Sequence, residues 1–278
     1  ADIEGSFLSK LWSAGSGNGP FNAPRGIAVN DSNIFVADTV NNRIQIFDLN
    51  GNYVSNFGTA GSGDGQFNAP YGLAVDASYI YVADSGNNRV QIFDLVGTFV
   101  AKFGSSGSGD GQFSDLHGIA VNASNIFVAD SGHDRVQVFD LTGTFVSKFG
   151  TAGSGDGQFT NPYDVDVNGS NIFVLDTMNS RVQVFDLAGT FVSKFGSSGS
   201  GNGQFNSPYG IKVSDSHIFV ADSVNNRVQI FDINGNFVSK FGSVGTGDGQ
   251  FSNSSDLAVN ATFCFVLDRG NNRVQKFI

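Results

Sequence analysis

Val82–Asp94 reads VADSGNNRVQIFD, and five more copies of this stretch run through the chain. They are VADTVNNRIQIFD at 36–48, VADSGHDRVQVFD at 128–140, VLDTMNSRVQVFD at 174–186, VADSVNNRVQIFD at 220–232 and VLDRGNNRVQKFI at 266–278. Their first aspartates, Asp38, Asp84, Asp130, Asp176, Asp222 and Asp268, follow one another every 46 residues. A fixed period without drift means one structural unit copied in space. Six units account for nearly all of the 278 residues, so residues 1–278 are expected to form a single domain.

Within each unit the residues alternate at the period of a strand. In the second copy GLAVD (72–76), YIYVAD (79–84), RVQIFD (89–94) and TFVAKF (98–103) read as four short strands. Asn50-Gly51 and Asn234-Gly235 fall between the third and fourth strands and are strong tight-hairpin signals. No segment keeps a helical period over three turns. Six units of four antiparallel strands joined by short turns predict an all-β, six-bladed β-propeller. Blades packed face to face cover both sides of each sheet, which explains why alternate positions are so often apolar.

The ends are out of phase with the units. Residues 2–11 align with 232–241, the fourth strand of a blade, while the chain stops after a third strand at Ile278. Strand 6–11 should therefore complete the blade formed by 255–278, close the ring and cover two strand edges. Burial of Phe7, Leu8 and Leu11 should contribute ~1.5–3 kcal/mol each.

Composition narrows the function. Net charge is −10, with 15 Lys and Arg against 25 Asp and Glu. Nucleic-acid binders present excess cations to phosphates, so that class is disfavoured. Six of the eight arginines fill one repeat position (Arg43, Arg89, Arg135, Arg181, Arg227, Arg273), and five lysines fill another (Lys10, Lys102, Lys148, Lys194, Lys240). Only Arg25, Lys212, Arg269 and Lys276 lie outside these series. The single Cys264 replaces an isoleucine of the other copies and reads as a small core residue. No apolar run reaches the length of a membrane span, and the opening ADIEG does not read as a signal peptide.

The succession Pro-x-Gly-Ile-Ala-Val, Ile-Phe-Val-Ala-Asp-Ser, Asn-Asn-Arg-Val-Gln-Ile-Phe-Asp and Phe-Val-x-Lys-Phe-Gly resembles the NHL repeat, in six copies over the whole chain. The resemblance implies a six-bladed propeller closed by a shared blade. Its functional implication is diffuse: such propellers include RNA-binding modules, protein-interaction domains, extracytoplasmic sensors and a zinc-dependent lyase acting on peptidyl-hydroxyglycine.

Most of the repeated chemistry reads as scaffold. Six identical copies of the Asp84–Arg89 pair make a poor catalytic centre and a good strand-end turn. The GSGDGQF loops at 61–67, 107–113 and 153–159 lack the lysine and helix of a phosphate loop. One carboxylate per loop (Asp64, Asp110, Asp156, Asp248) is thin for calcium, which wants six to eight oxygens. Asn30, Asn122, Asn168, Asn253 and Asn260 open glycosylation sequons, but Asn and Ser are also what those turns need. Were the sequons used, one face would be sugar-coated and the other left free.

The departures from symmetry carry the functional signal. Just before the inner strands the copies read Arg25, Tyr71, His117, Tyr163, Tyr209 and Ser255, which propeller geometry places around the mouth of the central channel. Asp164, Asp166, Lys212 and Asp256 add charge near the axis, with an Asp166–Lys212 pair across adjacent blades expected. His133, Met178 and Arg269 vary a turn. Zinc needs about three nitrogen, oxygen or sulfur ligands, and only one of the three histidines (His117, His133, His217) falls in the mouth series; no nucleophile, base and orienter suggest a triad. The expectation is a non-enzymatic scaffold, monomeric and extracellular or extracytoplasmic, without cofactor, metal, nucleic-acid partner or membrane insertion. It would bind a protein, peptide or glycan through Arg25, Tyr71, His117, Tyr163, Tyr209, Asp164, Asp166 and Lys212. The disfavoured rivals are a lyase of the peptidyl-hydroxyglycine type, an RNA-binding module, and a recently amplified propeller with no selected ligand.

Overall fold

The computed structural model describes residues 5–12 and 14–278. Apolar alternation at period two builds six four-stranded antiparallel sheets. Blade 2 is typical. Its strands are Pro70–Val75, Tyr79–Asp84, Arg89–Asp94 and Phe99–Phe103, hydrogen-bonded in chain order from the axis outward. The sheets face two ways at once. Tyr81, Ala83, Val90 and Ile92 pack on Leu116, Ile119 and Val128 of blade 3, while Ile80, Val82 and Phe93 pack on Phe35, Ile44 and Ile46 of blade 1. Six such clusters lie between successive blades, and that is where the core sits.

Blade 6 takes three strands from the C-terminus, Asp256–Val259, Cys264–Asp268 and Arg273–Phe277, and its outer strand, Phe7–Leu11, from the N-terminus. Leu11 lies opposite Val274, and Ser6 and Ile278 exchange backbone hydrogen bonds of 3.0 Å. Leu11 is buried, but Leu8, expected inside, is 46% exposed. The strand alternates, and only Phe7 and Leu11 turn toward the neighbouring blades.

The glycine-rich loops are more structured than turns. Thr59–Ala60 pairs in parallel with Gln66–Phe67, and four more blade junctions repeat this ribbon. At the remaining junction the pairing shrinks to a bridge between Ala14 and Phe21. Phe67 ends the ribbon fully buried in the core between blades 1 and 2. Between second and third strands a single 3-10 turn, Ser85–Asn87, ends at Asn88 with φ 51°, a left-handed position that Asn tolerates.

Each unit runs up and down along the axis twice while its strands step outward, so its loops segregate. The glycine-rich ribbons and the 3-10 turns lie on one face, called here the loop face. The turns between first and second strands and the outer hairpins lie on the opposite, hairpin face. The inner strands end on the loop face at residues 25, 71, 117, 163, 209 and 255.

Candidate functional site

The repeated polar residues consume themselves. Asp84 Oδ2 accepts hydrogen bonds from Arg89 Nε at 2.8 Å, Asn87 Nδ2 at 2.9 Å and Gln91 Nε2 at 3.1 Å, and its Oδ1 accepts from Asn68 N. The Arg89 guanidinium donates onward to the carbonyls of Ser62, Gly63 and Gln66. The same set recurs around Arg135, Arg181, Arg227 and Arg273. It fastens the glycine-rich ribbon to its blade, as the turn reading expects. The loop aspartates are also occupied: Asp64, Asp110, Asp156 and Asp248 pair with Lys102, Lys148, Lys194 and Lys10.

At the mouth the departures from symmetry form one structure. Arg25 lies over the Tyr71 ring at 4.5 Å. Tyr71 and His117 approach at 4.5 Å, His117 stacks on Tyr163 at 4.2 Å, and Tyr163 meets Tyr209 at 4.6 Å. The Tyr71 and Tyr163 hydroxyls touch across the axis. Five consecutive blades thus contribute to one aromatic plug. The space left within it is about 10 Å³, room for a single water at most. The channel is closed here, so any ligand lies on the plug and not in it. Burial pushes the Tyr163 hydroxyl above its ordinary range, and it stays protonated.

His117 joins two further residues. Its Nδ1 lies 2.9 Å from Ser131 Oγ and its Nε2 lies 3.3 Å from Asp115. The set carries the residue types of a hydrolytic triad, which the sequence does not suggest because Ser131, in the turn after the second strand, lies 14 residues from His117. Its order is inverted. Ser131 is buried and donates its hydroxyl hydrogen to the Pro162 carbonyl, while the Asp115 side chain is 64% exposed. A nucleophile must face substrate, with the carboxylate held behind the base. Here His117 is braced, and its hydrogen bond holds the Asp115 carboxyl below the usual range.

The charged residues fall elsewhere. Asp164 Oδ2 accepts from Ile211 N at 2.9 Å, Asp166 Oδ2 from Val213 N at 2.7 Å, and Asp256 Oδ2 from Ile27 N at 2.9 Å. Each reaches across to the inner strand of the next blade. Inner strands are sheet edges, and these carboxylates satisfy edge amides that have no strand beside them. The room comes from glycine. A Cβ on Gly118 would run into Asp164, and one on Gly210 into Asp256. Lys212 Nζ lies 3.8 Å from Asp164 Oδ2, so its ion pair is with Asp164 and not, as the spacing implies, with Asp166. Burial raises Asp164 and Asp256, the latter to about 8; Asp166, open to a cavity, rises to about 6. Burial pulls Lys212 down, but the three carboxylates together outweigh it, and the ammonium stays charged.

That cavity is the hairpin-face end of the channel, about 180 Å³, walled by Val29, Val75, Val121 and Val259, with Asp166 and Lys212 on one side. The eight expected site residues therefore divide. Arg25, Tyr71, His117, Tyr163 and Tyr209 share the loop face; Asp164 lies buried beneath them; Asp166 and Lys212 belong to the other end. Arg269 joins the mouth. It replaces the hydroxyl residue (Thr39, Ser85, Ser131, Thr177, Ser223) that elsewhere donates to the carbonyl just before the mouth position, as Thr39 does to Pro70. By that register it stands beside Pro24–Arg25. The signal was in the sequence: both residues lie outside the arginine series.

Among the described residues no group of three or more His, Cys, Asp or Glu is placed to hold a metal ion. His133 pairs with Asp130 on the loop face, and His217 with Ser216 on the hairpin face. Among the described residues no helix is long and apolar enough to cross a membrane.

A closed ring of six four-stranded sheets around a plugged axis is a β-propeller. The profile of the 6-bladed β-propeller family matches residues 69–150, 119–193, 158–210 and 204–277, and the NHL-repeat profile matches residues 21–47. The chain belongs to the 6-bladed β-propellers, built of NHL repeats. Comparison with curated protein sequences returns no match. Among solved structures it is similar to a structural-genomics protein of unknown function from Bacteroides thetaiotaomicron (TM-score 0.75, 16% identity, covering 97% of this chain and 74% of that one). It is also similar to a streptogramin B lyase (0.68, 11%, 100% and 99%) and to an auxiliary nutrient binding protein from Bacteroides thetaiotaomicron (0.69, 13%, 94% and 70%). At these identities the likeness is one of fold.

Proposed function

We propose that the protein is a non-enzymatic binding scaffold whose loop face takes an extended peptide segment of a partner protein across the channel mouth. One observation carries the reading: the copies disagree in concert, and five consecutive blades place Arg25, Tyr71, His117, Tyr163 and Tyr209 in contact with one another on a single face. Uniform packing needs no such departure. The plug is rigid before binding, so recognition costs little ordering, and tyrosine offers apolar area with a polar tip. Around it, exposed Val40, Met178 and Val224 stand on turns where other copies have Gly86, Gly132 and Gly270. A closed mouth favours a ligand that lies flat. The inverted order of Ser131, His117 and Asp115 supports binding over hydrolysis, and the nutrient-binding neighbour lends the fold a precedent.

Selection of a displayed random peptide library on the whole chain tests this. Selected peptides should bind the folded Tyr71→Ala/Tyr163→Ala/Tyr209→Ala variant at least about tenfold more weakly, a loss of about 1.4 kcal/mol. Peptides that bind it equally well, or a library that yields no binder, would overturn the reading.

A further inference from the structure

Every cation of the repeat has a side-chain partner. The six repeat arginines each hold an aspartate at 2.7–2.8 Å, four of the five repeat lysines pair with loop aspartates, and Lys240 donates to Asn202. Of the four cations outside these series, Lys276 donates to the Leu49 carbonyl and lies over Phe263, and Lys212 pairs with Asp164. Two remain. Among the described residues neither Arg25 nor Arg269 donates a side-chain hydrogen bond or meets a carboxylate within ion-pair distance. Both stand at the same blade joint, on the same face, beside the same plug. They are near enough that, after burial, the Arg269 charge is the next cause that lowers the basicity of Arg25, and both charges act on the Tyr163 hydroxyl.

Two guanidiniums side by side repel, and the nearby Asp115 carboxylate, outside ion-pair distance, acts only on Arg25. A folding role does not explain them, since the other five joints are made with Ser, Thr or their carbonyl partners and without charge. An anion between them would remove the repulsion and take charge-assisted hydrogen bonds from both planar forks. The Arg25 plane already rests on Tyr71, which fixes the direction of its donors.

We infer that Arg25 and Arg269 form a clamp for a carboxylate, so that the segment bound on the loop face, on the reading above, carries an acidic side chain or a C-terminal carboxylate at that point. A carboxylate is favoured over phosphate by the rest of the face. Asp115 lies beside the mouth against His117, the other loop aspartates are paired with outer-strand lysines, and the whole chain has net charge −10. A single acid can be met by two arginines, whereas a polyphosphate strand would run on past the Asp115 carboxylate.

The test is a titration of the full chain followed through the arginine Nε–Hε signals, assigned with Arg25→Lys and Arg269→Lys. Succinate should shift the Arg25 and Arg269 signals saturably, leave the six repeat arginines still, and be matched by no shift with neutral succinamide. Arg269→Gln should weaken succinate about tenfold or more without lowering the melting temperature, because a repulsion is lost; a merely structural arginine would lower it. Absence of a saturable succinate shift, an equal response to succinamide, or a destabilised Arg269→Gln that still binds succinate normally would each overturn the clamp. Tighter binding of inorganic phosphate or of a short oligouridylate would overturn the choice of carboxylate and point to a nucleic-acid ligand. The peptide reading fails separately: peptides that need the tyrosines but ignore Arg269→Gln sink the clamp alone, and a succinate site without any peptide binder sinks the peptide.

Discussion

Lys212 is the residue whose loss should cost most for its size. It balances Asp164 within a buried group that also holds Asp166 and Asp256. Breaking a buried pair by removing one partner costs about 3–5 kcal/mol, so Lys212→Met should lose about that much at pH 8, measured by chemical denaturation. The loss should shrink at pH 5, where the carboxylates take up protons. The intact protein has a matching pH dependence. Asp166 and Asp256 titrate near 6 and 8 when folded and near 3.8 when unfolded, so between about pH 4 and 8 the folded chain holds more protons. Stability from these groups therefore falls as pH rises through that window and is flat above it. The hairpin aspartates act oppositely. Asp48, held by the Asn52 side chain, and Asp94, held by the Thr98 amide, lie below their ordinary value, and their contribution disappears as pH falls under about 4. A denaturation series should thus peak near pH 4 as far as these groups decide it; a midpoint that rises steadily from pH 5 to 8 would refute the assignment of these protons. The sequence shows that these charges break the repeat. It does not show which acid faces Lys212, because that depends on how far each inner strand is slid against the next, and the carboxylates are drawn to edge amides that no residue pattern announces.

At the level of the strand, turn and ribbon, the repeated Asp, Arg and Gln act as one unit. The guanidinium of Arg89 is buried between the Asp84 carboxylate and three ribbon carbonyls. Arg89→Met leaves Asp84 buried without its charge partner, and a loss of about 3–5 kcal/mol is expected. Lys102→Ala, which removes an ion pair half in water, should cost no more than about 1 kcal/mol. Thermal melts of the two variants side by side check the contrast; equal losses would mean that the ribbon is not fastened through Arg89. The four strands of each blade were legible because apolar alternation, Asn-Gly hairpins and the invariant period all agree. The parallel ribbon was not. Its strands are two residues long, below any periodic signal, and they form because buried Phe67 and the Arg89 donors pull the loop back on itself. The contact of His117 and its neighbour Asp115 with Ser131 was hidden because Ser131 stands in the turn after the second strand. Arg25 and the tyrosines could be placed at the mouth, since the inner strand fixes their position. That they fill the mouth follows only from the inward approach of the rings.

The ring as a whole depends on one joint made by two ends of the chain. Deleting residues 1–12 would uncover the edge of Arg273–Phe277 and the Phe7 and Leu11 contacts with blades 5 and 1. Such a chain should melt well below the intact one or associate through the open edge, as an exposed strand edge invites; a monomer with unchanged melting temperature would refute the closure. Position in the ring, by contrast, should matter little. The joint between blades 6 and 1, though Arg269 replaces its hydroxyl donor, shares an asparagine contact with other joints: Asn272 Oδ1 accepts from Ala23 N at 2.8 Å, as Asn42 Oδ1 does from Ala69 N at 2.8 Å. Ser6 and Ile278 are already hydrogen-bonded, and residues 3–5 match the hairpin residues 233–235 that join third to outer strand in blade 5. Fusing Ile278 to Ile3 and opening the chain between Leu141 and Thr142 moves the two-ended blade from position 6 to position 3. Every blade interface survives, and the new ends fall in an exposed hairpin. Because stability in a repeat protein is close to a sum of unit and neighbour contributions, the permuted chain should fold, keep the cooperativity of its melt, and differ from the parent by about 1–2 kcal/mol, the scale of one hairpin's local interactions. The loop face is untouched by the permutation, so succinate and the selected peptides should bind it as they bind the parent. A permuted chain that folds but melts far lower would show that closure at blade 6 is special, and that Arg25 and Arg269, the two arginines at that joint, serve the ring and not a ligand.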